Sequence, residues 1–222
     1  MIILHHCPQT RSMRSLWLLN ELGVEFTTVV HPFGKNLRDP SYLKLSPAGR
    51  VPALEIDGER LFETGAITEY LCERFPEAGL GRLPGDPERA QWLMWVHFSE
   101  TISQHIAALT QQHIMLYDDT MRSPVVMKLE AARLRKCYEA VETRLGETGD
   151  YLLKSGFSAV DTSVGHAVYM GLHFAKLEGL PRTEAWYARI TERAAFKASL
   201  PKGEEEMLYR QAFYPAWERP AS

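Results

Sequence analysis

Between Ser46 and Tyr70 the chain reads SPAGRVPALEIDGERLFETGAITEY, and the Asp57-Gly58 pair in its middle restricts the fold more than any other feature. Asp-Gly tolerates the positive φ of a tight hairpin turn, so the apolar runs on either side of it pair as antiparallel strands. Those strands are Ala53-Leu54-Glu55-Ile56 and Arg60-Leu61-Phe62. After Phe62 the period changes: Ala66, Ile67, Tyr70 and Leu71 recur at helical spacing, with Thr64 as a suitable N-cap. Upstream, Ile2-Ile3-Leu4 is a short first strand, and a polar loop, His5 to Ser12, follows it. Leu16, Leu18, Leu19 and Leu22 make a helical stripe that Gly23 stops, and Phe26 to Val30 is a β-branched and aromatic second strand. Strand, helix, strand is a βαβ unit with a parallel pair. Asp39-Pro40 supplies the cap and first position of a short helix with Tyr42 and Leu43, which completes a βαβαββα order.

Residues 76–87 are rich in Gly and Pro and mark a linker. Beyond it strand alternation stops. Asp86-Pro87-Glu88 opens a long helix carrying Leu93, Val96, Ile102, Ile106 and Leu109. Ser123-Pro124 opens a second, with Leu129, Cys137, Val141 and Leu145, that stops at Gly146. Ser158 and Asp161 form a capping box for a third, and Thr183 starts a fourth with Trp186, Tyr187 and Ile190. Glu204-Glu205-Glu206 reads as a solvated helix start. The expected division is therefore 1–77, a linker at 78–86, and an all-helical 87–222.

The chain has 222 residues, 45% of them apolar, enough for one large domain or two modest ones. A net charge of −3 lays down no basic footprint for nucleic acid. No apolar run approaches the ~18–20 residues that span a bilayer, so no membrane partner is expected. Met1 leads directly into strand, so no leader is expected either. The three cysteines, Cys7, Cys72 and Cys137, are odd in number and far apart, which points to reduced thiols and a cytoplasmic location. The eight histidines show no ligand spacing, and no metal is expected.

Two motifs at their mutual spacing carry a resemblance. Gly49-Arg50-Val51-Pro52-Ala53-Leu54 fits G-[KR]-[VI]-P-x-L, and Glu63-Thr64-Gly65-Ala66-Ile67 fits [EDQ]-S-x-A-I with Thr64 for the usual serine. In these the chain resembles the cytosolic glutathione S-transferase family, in its bacterial-type, serine-like group. Gly156 to Asp161 is also similar to that family's helical-domain capping motif, with Val160 in place of the commoner Ala. The resemblance covers nearly the whole chain. It implies an N-terminal thioredoxin-like βαβαββα domain followed by an all-helical C-terminal domain, a homodimer, and a cis Val51-Pro52 bond.

It also implies glutathione as co-substrate and a hydrophobic electrophile as its partner. Val51 would offer its backbone N–H and C=O to the cysteinyl part, like an added strand. Glu63 and the helix N-terminus at Thr64 would take the γ-glutamyl ammonium and carboxylate, and Arg50 the glycyl carboxylate. In the serine-like group a hydroxyl in the loop after the first strand, a few residues before the first helix's arginine, activates the thiol. Thr10, four before Arg14, fits that placement best. Ser12 is the alternative and can instead cap the helix; Cys7 and backbone amides are further ones. Cys7-Pro8-Gln9-Thr10 also resembles the C-P-x-[CST] of glutaredoxin and the omega class. A glutathione-dependent disulfide or peroxide reductase is therefore one rival reading, and a non-catalytic glutathione-binding module the other. Trp92, Trp95 and Phe98 are expected in packing, Met115 and Tyr117 near a second-substrate pocket, and Tyr209, Phe213, Tyr214 and Trp217 either over that pocket or stapling the tail.

Overall fold

A computed structural model describes residues 1–203 and 207–215, Lys35 by its backbone alone. The Glu204–Glu206 helix start and Trp217 lie outside the described residues. Among them the order is β1 (Ile2–His6), α1 (Ser12–Leu22), β2 (Thr27–Val30), a 3₁₀ turn (Lys35–Arg38), α2 (Pro40–Leu43), β3 (Ala53–Ile56), β4 (Glu59–Phe62) and α3 (Thr64–Arg74). Five helices follow: α4 (Arg89–Thr110), α5 (Pro124–Thr148), α6 (Ala159–Gly171), α7 (Pro181–Thr191) and α8 (Ala194–Ser199). This is the expected α/β half followed by an all-helical half.

The sheet runs β2-β1-β3-β4, with β1 parallel to β2 and antiparallel to β3, and β3 antiparallel to β4. Register decides where function can sit. His5 lies opposite Ala53, Ala53 opposite Phe62, and His6 beside Val30. The end of β1, the start of β3 and the ends of β4 and β2 therefore emerge on one edge of the sheet. The loop at Cys7–Arg11, the Arg50-Val51 segment and the Glu63-Thr64 corner share that edge.

One apolar cluster runs from Ile2 and Leu4 of β1 through Trp17 and Ile67 to Ile106, Val164, Ile190 and Phe196. The two halves thus share a core. Trp17 of α1 meets Phe196 of α8 edge-on, with ring centroids 4.8 Å apart. Gly165 lets α6 approach: a Cβ there would stand 2.4 Å from Ile190 Cδ1 and 3.1 Å from the Trp17 ring. The segment between α3 and α4 is tied down, with Leu80 O accepting from Ala159 N–H (3.0 Å) and Trp92 Nε1–H (2.9 Å). Trp92 and Trp95 are buried, as expected.

Local signals held at several ends. Gly23 closes α1 at φ 66°, Ser123 accepts from Val126 N–H at the start of α5, and the Ser158–Asp161 capping box is complete. Three expectations need correction. Thr64 does not cap α3: Glu63 holds the cap position and makes no side-chain cap bond, while the Thr64 hydroxyl turns inward. Helix α5 passes Gly146 and stops at Gly149, which is the residue with φ at 94°. Pro181, not Thr183, begins α7; Thr183 instead gives its N–H and hydroxyl to Glu142 of α5. Met115 ends a π turn (Gln111–Met115) beyond α4, and Tyr117 is 92% exposed.

Candidate active site

The loop after β1 is closed by its own side chains. Ser12 Oγ accepts from Cys7 N–H (3.0 Å) and lies 2.9 Å from His6 Nδ1 and 2.8 Å from Thr10 Oγ1. Thr10 Oγ1 is also 2.7 Å from Cys7 O. Gln9 has φ at 53°, and its Oε1 accepts from Tyr209 N–H (2.7 Å). His166, reaching over from α6, donates from Nε2 to Thr10 O (3.0 Å). The loop is therefore held from β1, from α6 and from the tail. Ser12 is 0% exposed, whereas Thr10 is half-buried, so of the two hydroxyl residues only Thr10 borders solvent. It does so at the N-terminal end of α1, where the helix dipole favours an anion. Cys7 is 1% exposed.

Behind this loop lies an ion cluster that the sequence reading did not single out. Arg14, 1% exposed, gives Nη1–H to Thr64 Oγ1 (2.9 Å) and to Glu100 of α4, and Nη2–H to Ser103 Oγ (2.9 Å). Thr64 Oγ1 donates to Glu100 Oε1 (2.6 Å), and Arg11 Nη1 is 3.1 Å from Glu100 Oε2. Burial alone would raise the Glu100 pKa, but the charges of Arg14 and Arg11, with hydrogen bonds from Thr64 and Arg14, hold it at about 2. Burial lowers the Arg14 pKa from its ordinary value while Glu100 opposes it. A guanidinium so buried stays charged only because the carboxylate faces it. Burial also lowers His6 to about 4 and His166 well below 6.5, so both rings are neutral near neutral pH.

Glu63 stands exposed at φ 73° and ψ 118°, and its carbonyl accepts the first α3 bond from Ile67 N–H (3.0 Å). The amides of Thr64, Gly65 and Ala66 precede that bond and mark the positive end of the helix. A non-glycine residue in this region costs on the order of 1–3 kcal/mol and is characteristic of ligand corners. Val51-Pro52 is cis. Arg50 has an exposed side chain on a fixed backbone, since Tyr42 donates to its carbonyl (2.9 Å) and its N–H reaches Ser46 Oγ (3.3 Å). Thr10, Arg50, Val51, Pro52, Glu63 and Thr64 thus all lie at one edge of the sheet. Ser12 is there too, beneath the surface.

At the far side of the loop the tail is stapled. Tyr209 is 6% exposed, stacks on His173 at 4.4 Å and shares a hydrogen bond with Thr110 (2.6 Å). Tyr214 N–H bonds His173 O, and Phe213 lies under Lys176. Among the described residues no group of three potential ligands is placed to hold a metal ion. No helix among them is long and apolar enough to cross a membrane.

A βαβαββα unit with a cis-proline before the hairpin, an acidic corner at α3 and an all-helical second half define a class, and comparison with known proteins identifies it. The family model "Glutathione S-transferase, N-terminal domain" matches residues 1–73. Glutathione S-transferase F13 of Arabidopsis thaliana is 30% identical over 194 residues, 82% of this chain and 87% of the relative. A solved glutathione S-transferase from Xylella fastidiosa superposes with a TM-score of 0.79 at 23% identity, over 90% of this chain and 97% of that one. A sphingomonad glutathione S-transferase, solved in complex with glutathione, does so at 0.75 and 24%, over 89% and 96%. The chain belongs to the glutathione S-transferase family and is an enzyme of that family.

Glu100 escaped the sequence reading; His6 and Gln9 entered it only as parts of the loop after β1, His166 only among the histidines, and Arg14 only as a landmark. The contacts of Arg14 with Glu100 span 86 residues, of His166 with Thr10 156 and of Gln9 with Tyr209 200, which no local period encodes.

Proposed function

We propose that the chain activates glutathione as its thiolate, at Thr10, for attack on an apolar electrophile. The tripeptide lies along the shared sheet edge. Val51 pairs with the cysteinyl backbone, Arg50 meets the glycyl carboxylate, and the γ-glutamyl group sits against Glu63 and the α3 amides. The Thr64 hydroxyl, committed to Arg14 and Glu100, fixes that corner and leaves the carboxylate to the amides. Residues 1–77 form the glutathione half and 87–222 the half that shapes the second-substrate pocket, with 78–86 between them. The protein works in the cytoplasm as a homodimer.

A thiol like that of glutathione ionises near about 8.5, so few molecules carry the anion at neutral pH. A hydroxyl hydrogen and the α1 dipole aimed at the sulfur lower that value, and the proton leaves to water. The thiolate then attacks the electrophilic carbon; a C–S bond forms and the leaving group departs with its electron pair. Proximity supplies much of the remaining rate. The observation that carries this reading is Thr10, half-buried at the start of α1 while its neighbours Ser12 and Cys7 are buried. That burial favours transfer over disulfide chemistry at Cys7.

Calorimetry with glutathione and a conjugation assay with an aryl halide test it together. Uptake with turnover supports transfer. Uptake without turnover of any electrophile supports a binding module, and disulfide exchange lost in Cys7→Ser supports a reductase.

A further inference from the structure

We propose that His6, acting through Ser12, sets the direction in which the Thr10 hydroxyl gives its hydrogen, and is a positioning residue for the bound thiolate. This rests on the assignment of Thr10 above. Ser12 Oγ sits among four polar atoms: Cys7 N (3.0 Å), Cys7 O (3.1 Å), His6 Nδ1 (2.9 Å) and Thr10 Oγ1 (2.8 Å). A hydroxyl has one hydrogen to give. Cys7 N–H only donates and Cys7 O only accepts. His6 and Thr10 can each do either, so the imidazole tautomer decides whether the Ser12 hydrogen turns to the ring or stays for Thr10 Oγ1 and Cys7 O.

With the hydrogen on Nδ1, Ser12 accepts from His6 and from Cys7 N–H and passes its own hydrogen to Thr10 Oγ1. The Thr10 hydrogen is then available to an outside acceptor. Without one it rests on Cys7 O, 2.7 Å away. With Nδ1 bare, the Ser12 hydrogen turns to the ring, and Thr10 Oγ1 keeps only the longer bond from Ser12 N–H (3.3 Å). Only the first arrangement aligns the dipoles head to tail toward the sulfur, and aligned chains strengthen each bond. A thiolate accepts and never donates, so it selects that arrangement. Burial keeps the ring neutral near neutral pH, so His6 acts by where its hydrogen sits rather than by charge. Ser12, 0% exposed, relays and does not touch the ligand.

Nitrogen NMR of the histidine rings in the wild-type protein, saturated with glutathione, reads the tautomer without any substitution. The expected result is a hydrogen on His6 Nδ1; a bare Nδ1 overturns the proposal. Ultraviolet titration of the bound thiol supplies the second readout. His6→Leu should lower the thiol's ionisation constant roughly three- to tenfold, the worth of one hydrogen bond. His6→Asn, whose amide reaches the Nδ1 position, should restore most of it. Ser12→Ala should match His6→Leu, and the double variant should be no worse than either, because the groups act as one chain. Should His6→Leu and His6→Asn both titrate like wild type while Thr10→Ala shifts, the relay is wrong and the Thr10 assignment stands. A Thr10→Ala protein that titrates like wild type removes the Thr10 assignment itself.

Discussion

A guanidinium with 1% exposure needs its charge answered, and Glu100 answers Arg14 from another helix. Removing one partner of such a pair leaves the other buried and uncompensated. Glu100→Gln should therefore cost about 3 kcal/mol in urea unfolding. Thr64→Ser should cost well under that, since it keeps the hydroxyl that joins Arg14 to Glu100. Glu63 behaves differently, since its side chain is exposed and makes no cap bond. Glu63→Ala should leave stability nearly unchanged and weaken glutathione binding by roughly tenfold or more by calorimetry, the worth of one charge-assisted contact. The Glu63-Thr64 pair was legible because a motif carries it. The inward turn of Thr64 was not, because its partner Glu100 lies 36 residues away on α4.

At the level of elements, helix α6 is the one the rest close upon. Gly165 admits Trp17 from α1 and Ile190 from α7, and no sequence period announces this. Gly165→Ala overfills that contact and should lower stability by roughly 1–3 kcal/mol, read as a drop in urea midpoint at constant slope. The N-terminus of α6, in contrast, was written in sequence: Ser158 and Asp161 exchange bonds with each other's backbone, and Ser158→Ala should cost about 1 kcal/mol. Short-range signals such as this, the Asp57-Gly58 turn and Gly23 resolved most of the architecture. The failures were at ends decided by packing. Gly146 looks like a stop for α5, yet its backbone continues the helix to Thr148. Helix α8, six residues long, went unread because it is too short for a period and is held by Phe196 against Trp17.

Across the whole molecule, the sheet register gathers three loops at one edge, and the Arg14–Glu100 cluster ties that edge to α4. The tie has a pH signature. Glu100 has a folded pKa of about 2 against its ordinary 4.5, so its contribution is complete above the ordinary value and disappears as pH falls through about 2. His6, lowered to about 4 from 6.5, binds a proton more readily when unfolded, so stability also declines as pH falls across that interval. The Tm should therefore begin to fall below the ordinary histidine value and fall further below the carboxylate value. Glu100→Gln should flatten only the lower part, as differential calorimetry at stepped pH would show. The account's central claim is that this edge turns a bound tripeptide's thiol into a nucleophile at Thr10. Ultraviolet titration of the glutathione complex measures that directly. The wild-type complex should ionise roughly 1–2 units below the free thiol's value of about 8.5, and Thr10→Ala should move it back toward that value. A wild-type complex that ionises at the free value would contradict the account, as would a depressed value that Thr10→Ala leaves in place.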